Sequence, residues 1–192
     1  MSAMMYQASS KVLSHNLKNL SAVLKTAAKD AKARGIDPEV ILNARLAPDM
    51  LPLIRQVQIS TDHAKGCCAR LVGVEPPSFK DNEATFADLE QRIKKTLAFI
   101  RTIKASQFEG SETRRVTMTT PVGKLKFNGA DYLNGWALPN FYFHYSAAYN
   151  ILRHNGVGLG KIDFLGMVPG MEMTGKIAKM MGVKKPAKGK KK

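Results

Sequence analysis

Four histidines and two cysteines are the side chains of this sequence best suited to hold a metal or move a proton near neutral pH. Their spacing groups only some of them. Asn140 and His144 stand four apart in Asn140-Phe141-Tyr142-Phe143-His144, which places both on one face of an α-helix. Leu133, Ala137, Asn140, His144, Ala147 and Ile151 recur at alternating steps of three and four, so two polar groups interrupt an apolar seam. A buried amide or imidazole without a partner costs ~1–3 kcal/mol. The pair must be satisfied inside the fold or placed to touch something else. Earlier in the chain, Gln56, Ser60, His63 and Cys67 form a polar line beside a second apolar seam.

If the helices carrying these two sets are neighbours, His63, Asn140 and His144 converge in a cleft edged by Gln56, Ser60 and Cys67. Two chemistries stay open. Imidazole nitrogens suit Zn, Ni or Fe, and His63 with His144 would be the ligands, Asn140 being a weak, neutral third. The same groups without metal form a hydrogen-bond network in which Asn140 fixes the His144 tautomer and His63 pairs with Ser60 or Gln56. Tyr132, Trp136, Tyr142, Phe143, Tyr145 and Tyr149 crowd the helix of Asn140 and His144 and are mostly expected in the core or an interface, while any that border this pair would give the cleft apolar walls for a small organic ligand. Cys67 is either a further ligand or thiol in that cleft or a packed core residue. His15 falls off its seam and is expected in solvent, and His154 falls in a last helical turn, where the dipole favours a cation. A phosphate-cradling glycine loop, a Gly-x-Ser-x-Gly elbow and paired CxxC motifs do not occur, so nucleotide-dependent and serine-hydrolase chemistry have no support.

The elements that must position these groups are mostly helical. Leu13, Leu17, Leu20, Leu24, Ala27 and Ala31 predict a long amphipathic helix over 6–34, ended by Gly35. Asp37-Pro38 opens a short helix. Asp49 reads as the N-cap of a second long helix to Val72, with Met50, Ile54, Val57, Thr61, Ala64, Cys68 and Leu71 inward, and with Arg55, Asp62 and Lys65 outward. Thr85 and Asp88 resemble a capping box for a third helix to Ile103. Alternation around Pro121-Val122-Gly123 predicts a β-hairpin with Val116, Met118, Leu125 and Phe127 on its packed face. Asn128 is expected to cap the fourth long helix, and Asn155-Gly156 to close it. These add up to an all-α antiparallel four-helix bundle with a β-hairpin between helices three and four.

At 192 residues and 44% hydrophobic content, one domain and a tail are expected. The division falls at 1–166 for the bundle and 167–192 for a Met- and Lys-rich basic tail. The formal charge is +15, and eight of the thirty Lys and Arg residues follow Gly175, where no acid occurs. Gly175 to Met181 predicts a helical turn, and the stretch from Lys184 lacks the apolar residues needed to offset ordering entropy. Such a tail would touch polyanions weakly and non-specifically, and a nucleic-acid-associated helical protein is the rival functional class. Homodimerisation through apolar helix faces is a third. The adjacent Cys67 and Cys68 cannot sensibly bridge each other. With no signal-like or membrane-length apolar run, the sequence predicts a cytoplasmic protein that does not enter the membrane.

The runs Asn43-Ala44-Arg45-Leu46-Ala47-Pro48-Asp49-Met50, Gln56-Val57-Gln58 and Asp62-His63-Ala64-Lys65 resemble the family catalogued as domain of unknown function nineteen-ninety-three. So do Pro139 to His144, Ile151 to Val157 and Asp163-Phe164-Leu165-Gly166, and the resemblance spans Tyr6 to Gly166. It implies a four-helix bundle of the DinB/YfiT-like kind, whose metal-binding members use a histidine on helix two and a ligand-x-x-x-His pair on the last helix. His63 and His144 match the first and last positions, and Asn140 takes the middle one, where those relatives place His or Glu.

Overall fold

Leu13, Leu17, Leu20, Leu24, Ala27 and Ala31, the seam of the first long helix, are all buried. In the computed structural model, which describes residues 2–180, this helix covers 2–33. The basic stretch expected from Lys184 onward lies outside the described residues. The helix is regular over Val12–Ala33 and begins as Ser2–Tyr6 followed by a π-helical turn, Gln7–Lys11. Gly35 leaves it with φ +65°, a conformation that side chains disfavour. Asp37 then accepts from the Glu39 amide at 2.9 Å and caps Pro38–Leu42, as its sequence predicts.

The second long helix starts later than Asp49 suggests. It runs Leu53–Val72, with Pro52 at the N-cap and Gly73 leaving it left-handed. A residue before proline avoids helical angles, so Leu51 cannot join the first turn. Instead Gln56 Nε2 reaches back to the Leu51 carbonyl at 3.0 Å.

Thr85 and Asp88 do form the capping box of the third long helix, Phe86–Thr102. Thr85 Oγ1 accepts from the Asp88 amide at 3.1 Å, and Asp88 Oδ2 accepts from the Thr85 amide at 2.9 Å. Replacing Thr85 with Ala leaves the Asp88 amide without this acceptor, and the expected loss is about 1 kcal/mol in urea denaturation. An unchanged midpoint would mean that water substitutes for the hydroxyl at no cost.

Two antiparallel strands, Arg115–Thr120 and Gly123–Asn128, pair Val116 with Phe127 and Met118 with Leu125. Val116 is buried, and Met118 and Phe127 pack against the core. The fourth long helix covers 129–154. Asn128 precedes it without a side-chain cap bond, and its opening turns are Gly129–Asp131 and then a π-helical turn, Tyr132–Ala137. Regular α-helix returns over Leu138–His154. Pro139 lacks the N–H that an unbroken helix would require there, and the wider turn before it accommodates the gap. Short helices Lys161–Leu165 and Gly175–Met180 follow, and the latter coincides with the turn expected from Gly175.

The second long helix packs against the third and the fourth, while the first packs against the third and touches the fourth. One apolar cluster lies between them. Among the described residues, no helix is long and apolar enough to cross a membrane.

A charged group also sits inside. Arg92 of the third helix is 2% exposed. Its guanidinium donates to Thr61 Oγ1 at 2.7 Å and pairs with Asp62 at 2.7 Å, Asp81 at 3.0 Å and Glu83 at 3.1 Å. Asp62 and Lys65, both expected outward, do pair, but only Asp62 keeps substantial exposure. Lys65 is 7% exposed and shares Asp62 with Arg92, at 2.9 Å. Both cations also lie over the Phe79 ring, which ties the loop 75–84 to the two helices.

Candidate functional site

The second and fourth long helices bring His63 and His144 together. Their ring centroids are 5.8 Å apart and their planes differ by 16°. Both side chains, and Asn140, are half-buried. Leu133, Ala137, Ala147 and Ile151 of the expected stripe are buried, but Phe141, Tyr145, Ala148 and Leu152, all with no exposure, fill the middle of the core face of the fourth helix. Asn140 and His144 therefore flank the apolar seam instead of interrupting it.

The partners also differ from those read in the sequence. Gln56, only 1% exposed, bonds His144 Nδ1 through Oε1 at 2.7 Å. Because Gln56 Nε2 donates to Leu51, Oε1 must be the acceptor, so His144 carries its proton on Nδ1 and a lone pair on Nε2. Gln56 thus fixes the tautomer that was expected to depend on Asn140. Asn140 instead donates from Nδ2 to the Trp136 carbonyl at 2.8 Å, which leaves its Oδ1 as an acceptor. Ser60 turns to its own helix and donates to the Gln56 carbonyl at 2.8 Å, away from His63.

Cys67 does not belong to this strip. It has no exposure, and burial together with neighbouring Cys68 pushes its thiol well above the usual range. Cys68 accepts from Ser10 Oγ at 3.4 Å, and burial pushes it up to about 12. Neither is a thiolate near neutral pH. His15 is not in free solvent either, since its Nε2 bonds the Leu165 carbonyl at 2.8 Å.

Arg70, Tyr132 and Trp136 join the strip, although helical spacing alone did not single them out as a group. Arg70 stands about two turns beyond His63, and its guanidinium folds back over Gly66. A Cβ at Gly66 would come within 2.3 Å of Arg70 Nη1. Arg70 Nη1 donates to Tyr132 Oη at 3.2 Å, which mirrors the Gln56–His144 bond at the opposite end. Trp136 Nε1 is buried and has no hydrogen-bond partner among the described residues. Phe127 of the hairpin lies 5.8 Å from both Tyr132 and Trp136, ring to ring. The π-turn supplies the missing signal, because it rotates Tyr132 and Trp136 relative to a regular helix.

Burial, followed by His144 and Arg70, lowers the His63 pKa to about 4 against the opposing pull of Asp62. Burial lowers His144 as well. Both imidazoles are neutral at pH 7 and can donate and accept hydrogen bonds. A resident Zn, Ni or Fe ion fits this set poorly. Two imidazoles and a neutral amide fall one strong donor short, and the Arg70 guanidinium opposes a further cation. Among the described residues, no cluster of three His, Cys, Asp or Glu side chains could hold a metal ion.

The chain matches the family described as "Domain of unknown function (DUF1993)" over residues 5–165. It is also similar to a crystal structure, at 1.83 Å, of a DinB family member protein from Shewanella denitrificans. Sequence identity is 38%, the TM-score is 0.83, and the match covers 90% of this chain and 97% of the other. No curated protein matches.

Proposed function

The chain belongs to the family described as "Domain of unknown function (DUF1993)", and on that premise we propose that its second and fourth long helices hold a metal-independent binding site for a small polar organic molecule. The site comprises His63, His144 and Asn140, with Gln56 and Arg70 at its two ends. The observation that carries this reading is the Gln56–His144 bond, which orients one imidazole and leaves its Nε2 free to accept. Asn140 Oδ1 accepts, His63 both donates and accepts, and Arg70 favours a neutral or anionic ligand over a cation. The similarity to a DinB family member supports reading the four long helices as one antiparallel bundle, and the family match, which ends at residue 165, supports drawing the division between a 1–166 unit and a basic 167–192 stretch.

The test has two arms. Elemental analysis of protein purified without a His-tag should give Zn, Ni and Fe far below one per chain, before and after incubation with each. Stoichiometric uptake abolished by His63→Ala would replace this reading with a metal centre. A thermal-shift screen of small carboxylates and amides should yield ligands whose Kd rises tenfold or more in His144→Ala, which removes one buried hydrogen bond of about 1–3 kcal/mol. Ligands that bind His144→Ala and Arg70→Ala as well as wild type would sink the site.

A further inference from the structure

A second hollow, of about 1030 Å³, is lined by none of His63, Asn140 or His144. The start of the first long helix forms one wall, including the π-helical turn Gln7–Lys11, whose extra width displaces the backbone from a regular helical path. Leu97 and Ile100 of the third helix form a second wall, and Leu165, Val168 and Pro169 a third. Leu165 is 40% exposed and Val168 46%, so apolar surface faces water here. The third wall is held in place. His15 Nε2 and Asn19 Nδ2 both bond the Leu165 carbonyl, at 2.8 and 2.7 Å. Gly166 has φ +62°, and a Cβ there would meet Asn19 Oδ1 at 2.2 Å.

The polar content of the hollow is one-sided. Lys11, Lys18 and Arg101 line it, while among the described residues no aspartate or glutamate does. Among the described residues, none of these three cations makes an ion pair with an acid. Lys11 lies 5.4 Å from the centre of the Tyr6 ring, and Asn16 Nδ2 donates to Tyr142 Oη at 3.2 Å. Uncompensated positive charge beside apolar walls is complementary to an anion with an apolar body.

We propose that this hollow binds a free amphipathic carboxylate, with its headgroup among Lys11, Lys18 and Arg101 and its apolar part against Leu97, Ile100 and Val168. The site is separate from the polar strip between the second and fourth helices, and neither depends on the other.

Dodecanoate, titrated calorimetrically below its micellar concentration into the full chain, provides the test. One molecule is expected to bind per chain, at least tenfold tighter than dodecanol. Lys11, Lys18 and Arg101 are all exposed, so the triple variant Lys11→Ala, Lys18→Ala, Arg101→Ala should keep the wild-type circular dichroism and weaken binding tenfold or more. Val168→Glu, which adds a negative charge at the exposed rim, should weaken it in the same direction. His144→Ala should bind as wild type. The assignment is overturned if dodecanoate shows no saturable binding, if dodecanol binds equally, or if the triple variant is unaffected. Loss of binding in His144→Ala would move the ligand to the other site. Sedimentation with phosphatidylglycerol vesicles, lost in the triple variant and without binding of free dodecanoate, would make this a lipid-surface contact instead.

Discussion

Arg92→Ala is expected to cost about 3 kcal/mol of stability, well beyond the loss expected from Thr85→Ala. The substitution removes the cation but leaves its acceptors in place. Asp62 and Asp81 retain 40% and 38% side-chain exposure and can turn to water, whereas Glu83 retains only 10%. Breaking a buried pair from one side costs about 3–5 kcal/mol because the remaining charge is stranded. The two exposed partners place this case at the lower end of that range. Gln58, which donates to Glu83 at 2.7 Å, softens the loss without replacing it. Arg92→Lys should recover only part of the stability, since an ammonium cannot reach Thr61, Asp62 and Glu83 from one planar fork. Arg92→Met combined with Glu83→Gln should be more stable than Arg92→Ala, because no buried carboxylate is then left alone. Urea denaturation measures all three variants. A loss below about 1 kcal/mol for Arg92→Ala would show that water already shares the cluster.

That cluster also marks the limit of what spacing could reveal. The capping box at Thr85 and Asp88 located the start of the third helix, whose inward seam is Phe86, Leu89, Ile93 and Ile100 with Leu97 half-buried. Arg92 lies one position from that seam, and a single arginine on a helix normally faces water. Its burial depends on Asp62 from a second helix and on Asp81 and Glu83 from a loop, which is tertiary information. The pairing of His63 with His144 was legible because both stand on long periodic helices, and those two helices do pack against each other. Their hydrogen bonds were not. A proline at position 52 shortened the second helix and released the Leu51 carbonyl to orient Gln56, and a π-turn before Pro139 put Phe141 in the middle of the core face and left Asn140 beside it. Cys67 failed for a related reason. Helical spacing placed it on the same line as His63, but at 0% exposure that line passes from the polar strip into the core.

His63 gives the second large effect, and its sign is fixed by the direction of its shift. Its pKa falls from 6.5 to about 4 in the folded chain, because burial, His144 and Arg70 disfavour the imidazolium. Between those values the unfolded chain binds the proton and the folded chain does not. Stability is therefore complete above pH 6.5 and falls as the pH drops toward 4, below which both states are protonated. The shift corresponds to roughly 3 kcal/mol, and about 2 kcal/mol is expected once the partial exposure of the ring is allowed for. Asp81 acts in a lower window. Partial burial pushes its carboxyl up, but the hydrogen bond from Arg55 and the charge of Arg92 hold it below the ordinary carboxylate range. Its contribution is present above that range and is lost only as the pH falls through its folded value. Urea denaturation at pH 7.5 and pH 4.5 should thus show wild type losing about 2 kcal/mol more than His63→Gln, which has no proton to take up at this position. Proton NMR of the His63 ring supplies the direct measurement. A midpoint near 4 places the imidazole between the two helices as a neutral hydrogen-bonding group, whereas a midpoint near 6.5 would put it in water and remove it from the proposed binding site.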